Sequence, residues 1–217
     1  MGRFVLLLVF VVSGCAAAQW PINNKDRMDT EMGSTYHWLG SSFPLMVSAN
    51  PRLPRMYLEA AQEAVDSWNS LLGYEFLVFD TSTPTHIQQE GIVRILQEED
   101  LGDIREGVRI LGLATVHADS MTGVIRDATI RVDVDITPDV IETVFLHELG
   151  HTLGLCHDSY DKSAMYPIIW EPRVQRILPG DVEAVREQLP RDLHTAAHVE
   201  IPQVSPKWDV ISETEVP

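Results

Sequence analysis

The eleven residues His147-Glu148-Leu149-Gly150-His151-Thr152-Leu153-Gly154-Leu155-Cys156-His157 constrain this chain more than any other stretch. At about 100° per residue, His147 and His151 fall roughly 40° apart on one helical face, so their rings can converge on one point a turn apart. Gly154 can take the left-handed backbone that ends a helix. The chain then turns, and His157 approaches the same point from another direction. Any fold must therefore hold a helix that stops at a defined place beneath a third imidazole.

Three neutral imidazoles leave a tetrahedral zinc ion one open position, and open sites are the catalytic kind, whereas structural sites are closed and usually rich in Cys. Water in the open position has its pKa lowered toward neutrality. A carboxylate within reach can take its proton and return it to a leaving amine. Glu148 stands beside the histidines for that role. The competing reading, a core helix with incidental histidines, is weakened by the joint presence of the Glu, the Gly and the third His.

The flanking sequence supports a helix here. Thr137 is placed to cap it, Pro138 suits its first position, and Asp139 complements the positive end of its dipole. Upstream, Ala61, Ala64, Val65, Trp68, Leu71 and Leu72 recur at helical intervals after Pro51 and Pro54, and Gly73 stops that helix. Phe43 to Ser48, Tyr74 to Phe79, Ile92 to Leu96, Ile110 to His117 and Ala128 to Val134 read as strands. Leu178-Pro179-Gly180-Asp181 opens a last helix, with Val182, Val185 and Leu189 on one face.

With 217 residues, 45% of them hydrophobic, the chain can bury one sizeable core, placed at 35–190. Against 16 Lys and Arg stand 32 Asp and Glu, a formal charge of -16. That balance repels phosphates and argues against a nucleic-acid partner.

Residues 1–14 read as an export signal: Arg3 supplies positive charge, and Phe4 to Val12 form an apolar run too short to span a bilayer. Val12-Ser13-Gly14-Cys15 resembles the bacterial lipobox, which would make Cys15 the site of lipid attachment and the protein a membrane-anchored lipoprotein of the cell envelope. The alternative is ordinary cleavage after Ala18, releasing a secreted enzyme that begins at Gln19. Residues 15–34 then form a tether, and 191–217 a flexible acidic tail. Once Cys15 is lipidated or removed, Cys156 has no partner for an internal disulfide, and it reads as a small buried apolar side chain.

Two motifs together carry a family resemblance. His147-Glu148-x-x-His151-x-x-Gly154-x-x-His157, followed by Ser163-Ala164-Met165-Tyr166-Pro167, resembles the metzincin zinc proteases, with the second motif similar to their Met-turn. Within that clan the Met-Tyr-Pro wording is most similar to the matrixins, the group of the matrix metalloproteinases. Asp158, after the third histidine, resembles instead the adamalysin branch and leaves the subfamily open.

The resemblance implies an α+β, zincin-like catalytic domain: a twisted mixed five-stranded sheet with an antiparallel edge strand, three helices, an active-site helix and a Met-turn. It implies a monomeric endopeptidase with one catalytic Zn2+ on His147, His151 and His157, and Glu148 as general base. Met165 would floor the ligands. Leu113 and Ala114 would pair with an extended peptide substrate, and Pro167 to Trp170 would wall the pocket for an apolar residue after the scissile bond. A non-catalytic zinc scaffold and a peptidase or amidase acting on chain ends remain the alternatives. Asp100, Asp103, Asp133 and Asp135 are candidates for a structural Ca2+, although loop acids are usually only solvated. His86 and His117 read as ordinary loop and strand histidines.

Overall fold

The apolar run Leu45–Ala49 is buried almost throughout inside the sheet, while Gly112–Ala118, whose burial alternates, forms one of its edges. A computed structural model describes residues 37–189, apart from 87, 100, 106–107, 120 and 170–174. The proposed signal at 1–14, the tether at 15–34 with Cys15, and the tail at 191–217 lie outside the described residues. Among those described, no helix is long and apolar enough to cross a membrane.

In chain order, β1 (Leu45–Ala49) leads into α1 (Arg55–Leu72), then β2 (Leu77–Asp80) and β3 (Ile92–Glu98). A short hairpin of β4 (Asp103–Arg105) and β5 (Val108–Arg109) precedes β6 (Gly112–Ala118) and β7 (Ile125–Asp133). Two helices follow, α2 (Pro138–Thr152) and α3 (Pro179–Gln188). The architecture is the expected α+β one, a mixed five-stranded sheet in the order β2-β1-β3-β7-β6 with three α-helices among the described residues. The small β4–β5 hairpin is a feature that the sequence reading missed.

Within the five-stranded sheet every neighbouring pair runs parallel except β6 and β7. β1 is buried almost throughout, as a central parallel strand must be. β6 alternates instead: Gly112, Ala114 and Val116 face inward, and Leu113, Thr115 and His117 are more exposed. Its register with β7 sets Gly112 opposite Val132 and Ala114 opposite Ile130.

α1 buries one stripe, Tyr57, Ala60, Ala61, Ala64, Val65, Trp68 and Leu72, and ends on Gly73 at φ 80°. Its aromatics also reach polar partners, which ties the helix to the rest of the core. Trp68 Nε1 donates to the Leu146 carbonyl at 3.1 Å, and Tyr57 Oη donates to the Asp133 carbonyl at 2.8 Å. α2 differs in kind: from Val140 onward nearly every residue is buried, so it runs through the core.

Two local expectations need correcting. Thr137 does occupy the N-cap of α2, but its side chain makes no capping hydrogen bond. The Val140 N–H it would accept goes to the Thr137 carbonyl instead. The strand expected from Tyr74 begins only at Leu77, because the Asn69 side chain accepts from the Phe76 and Leu77 N–H groups and holds that approach as a turn.

Candidate metal centre

The end of α2 is built as a helix stop that aims a carbonyl. Gly154 adopts φ 98°, the Leu155 N–H bonds back to the Gly150 carbonyl, and the Gly154 N–H bonds to the His151 carbonyl. This is the double hydrogen bond of a Schellman motif, and it swings the Leu155 carbonyl toward His151. His151 Nδ1 lies 2.7 Å from it, while His147 Nδ1 lies 2.6 Å from the Ala164 carbonyl. A carbonyl oxygen only accepts, so both Nδ1 atoms carry the hydrogen, and each neutral ring presents a bare Nε2 lone pair.

Those two Nε2 atoms face one another at 2.9 Å. A hydrogen bond between them would need one ring to be protonated on both nitrogens. Burial opposes that: it pushes His151 down to about 4 and His147 well below the usual range. Two lone pairs at that distance repel unless a cation lies between them. His157 completes the group, with a ligand atom from each of the three histidines within 4.8 Å of the others. All the donors are imidazole nitrogens, and the set fits a zinc ion with an open fourth position. Cys156, expected to be buried, is half-buried, and among the described residues the group contains no sulfur.

Glu148 is fully buried beside this centre, and neither carboxylate oxygen has a hydrogen-bond partner. The Ala114 N–H lies close enough to favour the charged form slightly, yet short of a full hydrogen bond. Burial dominates and raises the Glu148 carboxyl well above the usual range. A buried carboxylate with no partner costs several kcal/mol, roughly, in an otherwise satisfied core. A neighbouring dication offsets that cost.

Met165 is fully buried against the same helix. A Cβ at Gly150 would come within 2.3 Å of its Sδ, so this glycine is what lets the thioether lie against α2. The turn carrying Met165 is anchored by a contact that the sequence does not reveal, between Ser163 of the Met-turn motif and Asp181 of the last helix. Ser163 Oγ accepts from the Met165 N–H at 2.9 Å and donates to the Asp181 carboxylate at 3.1 Å, and Asp181 also accepts from the Leu178 N–H at 2.8 Å. The Asp158 N–H bonds to the Met165 carbonyl, closing the loop that follows His157. The acidic residue three positions after Leu178 was the available signal, but its partner Ser163 is 18 residues away.

Of the other predicted positions, Leu113 is half-buried and Ala114 buried on β6, and Pro167 is buried just after the Met165 turn. Trp170 and Asp100 lie outside the described residues. The Asp133 carboxylate is buried and paired with Arg109 at 2.6 Å. His117 Nδ1 lies 2.9 Å from Asp127, and His86 is exposed.

The Matrixin family model matches residues 55–189. Among solved structures, the chain is similar to metalloproteinase-II from Bacteroides fragilis, at 14% identity and a TM-score of 0.42, covering 67% of this chain and 52% of that one. The chain therefore spans about half the length of that structure. No curated protein matches.

Proposed function

The chain belongs to the matrixin family, and on that premise we propose that it is a zinc-dependent endopeptidase acting on extracellular or envelope proteins. One observation carries the reading: two neutral helical imidazoles, fixed by carbonyls, direct bare lone pairs at a shared point beside an unpartnered buried carboxylate. A zinc ion on His147, His151 and His157 would supply Lewis acidity toward a water and a substrate carbonyl. Glu148 accepts the proton of the attacking water at a carboxylate oxygen and returns it to the leaving amine. Its burial keeps bulk water from competing for that proton.

Binding follows from the sheet. β6 is an outer strand of the five-stranded sheet and lies over α2. Among the described residues no strand pairs with its other side, which suits an extended peptide that adds as a further strand, with Leu113 and Ala114 providing main-chain groups. Pro167 contributes to the wall for the residue after the scissile bond, and Met165 underlies the ligands. We further propose export through residues 1–14, with anchoring at Cys15, or secretion if cleavage follows Ala18. The mass of the mature protein separates these two: a lipid increment on Cys15 supports the anchor, and a chain beginning at Gln19 excludes it.

The activity test is a mass-spectrometric readout of products from a peptide mixture incubated with zinc-loaded protein. Internal cuts that vanish in Glu148→Ala support the proposal. Cuts only at chain ends, no cuts, or cleavage that persists without Glu148 contradict it.

A further inference from the structure

We infer that Gly112 is a positioning residue for Glu148, its missing side chain being the space in which the carboxyl group sits. The inference rests on the proposed role of Glu148 and adds to it a residue from a different element. A Cβ built on Gly112 would lie 2.4 Å from Glu148 Oε1 and 2.9 Å from both its Cδ and Cγ, and these are the three nearest atoms. The contact is unrelated to backbone strain, because Gly112 is not among the glycines with positive φ. An alanine is therefore admissible for the backbone, and its conflict is with the Glu148 side chain.

Which partner yields can be settled from the surroundings. Gly112 is held in register opposite Val132, and the preceding Leu111 carbonyl accepts from the Asp133 N–H at 2.9 Å. Asp133 is in turn clasped by Arg109 at 2.6 Å and braced by Tyr57 through its carbonyl. The strand is thus pinned to β7 at Gly112 and at its neighbours Leu111 and Leu113. Glu148, by contrast, meets the added atom with its flexible side chain from Cγ outward, and its carboxylate oxygens make no full hydrogen bond. Adding a methyl group at position 112 moves the carboxylate and leaves the strand in place. A general base displaced by an ångström loses much of its contribution, which is ordinarily about 10² to 10⁴ in rate.

The test uses the full-length mature protein loaded with zinc, as wild type, Gly112→Ala, Glu148→Asp and the double variant. Gly112→Ala should bind one equivalent of zinc and lower kcat about 100-fold, with KM changed less than about threefold. In the Glu148→Asp background the atom nearest position 112, Oε1, is gone although Cγ at 2.9 Å remains, so the same change should lower kcat by a smaller factor than it does with Glu148 present. A crystal structure of zinc-loaded Gly112→Ala should show the Glu148 carboxylate displaced and β6 unmoved.

A kcat for Gly112→Ala within about twofold of wild type overturns the inference, as do equal losses in both backgrounds or an unmoved carboxylate. If Gly112→Ala does not fold, Gly112→Ala combined with Glu148→Ala must fold as Glu148→Ala alone does. Failure of that pair to fold means the conflict lies elsewhere, and the inference falls. Should wild type cleave no peptide, the endopeptidase proposal fails, while the carboxylate position in Gly112→Ala still decides this inference by itself.

Discussion

Two histidine-bearing clusters sit on opposite faces of one sheet, and their partners differ in kind. On the helix side, His147 and His151 are fixed by backbone carbonyls, which take one nitrogen of each ring and leave the other bare. On the outer side, His117 meets Asp127, whose carboxylate is also bound by Arg94 at 3.1 Å and by Gln88 at 2.9 and 3.1 Å. Arg94 reaches Thr129 as well, at 2.8 Å. The outer cluster pairs its charges with one another, although Arg94 Nε is buried without a hydrogen-bond partner. The inner one holds an unpartnered acid and facing lone pairs, which is the signature of a site that is completed by something from outside.

The largest expected effects lie in the inner cluster. His147→Ala should lose stoichiometric zinc and at least about 10³-fold in turnover, whereas Glu148→Ala should lose about as much turnover with zinc retained. Metal analysis beside peptide kinetics checks both. Equal zinc loss in the two variants would erase the proposed division between ligand and base.

In the outer cluster the expected loss is of stability alone. Arg94 and Asp127 have side chains that are 12% and 6% exposed, so removing one leaves a poorly solvated partner. Arg94→Ala should cost about 3 kcal/mol in denaturant unfolding, with zinc content and turnover per folded molecule unchanged. A selective loss of turnover would show that the two faces are coupled.

Asp181 lies between these extremes, a buried acid held only by neutral donors. Burial raises its pKa from 3.8 to about 6, against hydrogen bonds from Leu178 and Ser163 that lower it. Because the folded value exceeds the unfolded one, its contribution favours folding fully below about pH 4 and is lost as pH rises through about 6. The span corresponds to up to about 3 kcal/mol. Asp181→Asn should therefore raise stability more at pH 7 than at pH 4, measured by unfolding at both values. A larger gain at pH 4 would reverse the assignment. The smallest effect is at His117, whose side chain is 44% exposed: His117→Gln should change stability by less than about 1 kcal/mol.

These contrasts also mark what was legible in the sequence. The inner site is written locally, since His147, His151, Gly154 and His157 lie within eleven residues and a helical period alone brings them together. α1 and the apolar strands were legible for the same reason, one side-chain period per element. Features that depend on distant partners were not. Arg94 and Asp127 are 33 residues apart, Ser163 and Asp181 are 18 apart, and Gly112 lies 36 positions before Glu148. Asn69 is another example: nothing in the helical period marks its capture of the Phe76 and Leu77 N–H groups seven and eight residues on. Thr137 shows the converse, a residue with the right identity at a cap where backbone geometry had already taken the donor.

The most direct test of the metal centre is a crystal structure with anomalous data collected across the zinc absorption edge. The account predicts one peak, about 2.0–2.1 Å from nitrogens of His147, His151 and His157, with a water as the fourth ligand and Glu148 beside it. A peak elsewhere, or a fourth position filled by a protein side chain, would contradict it.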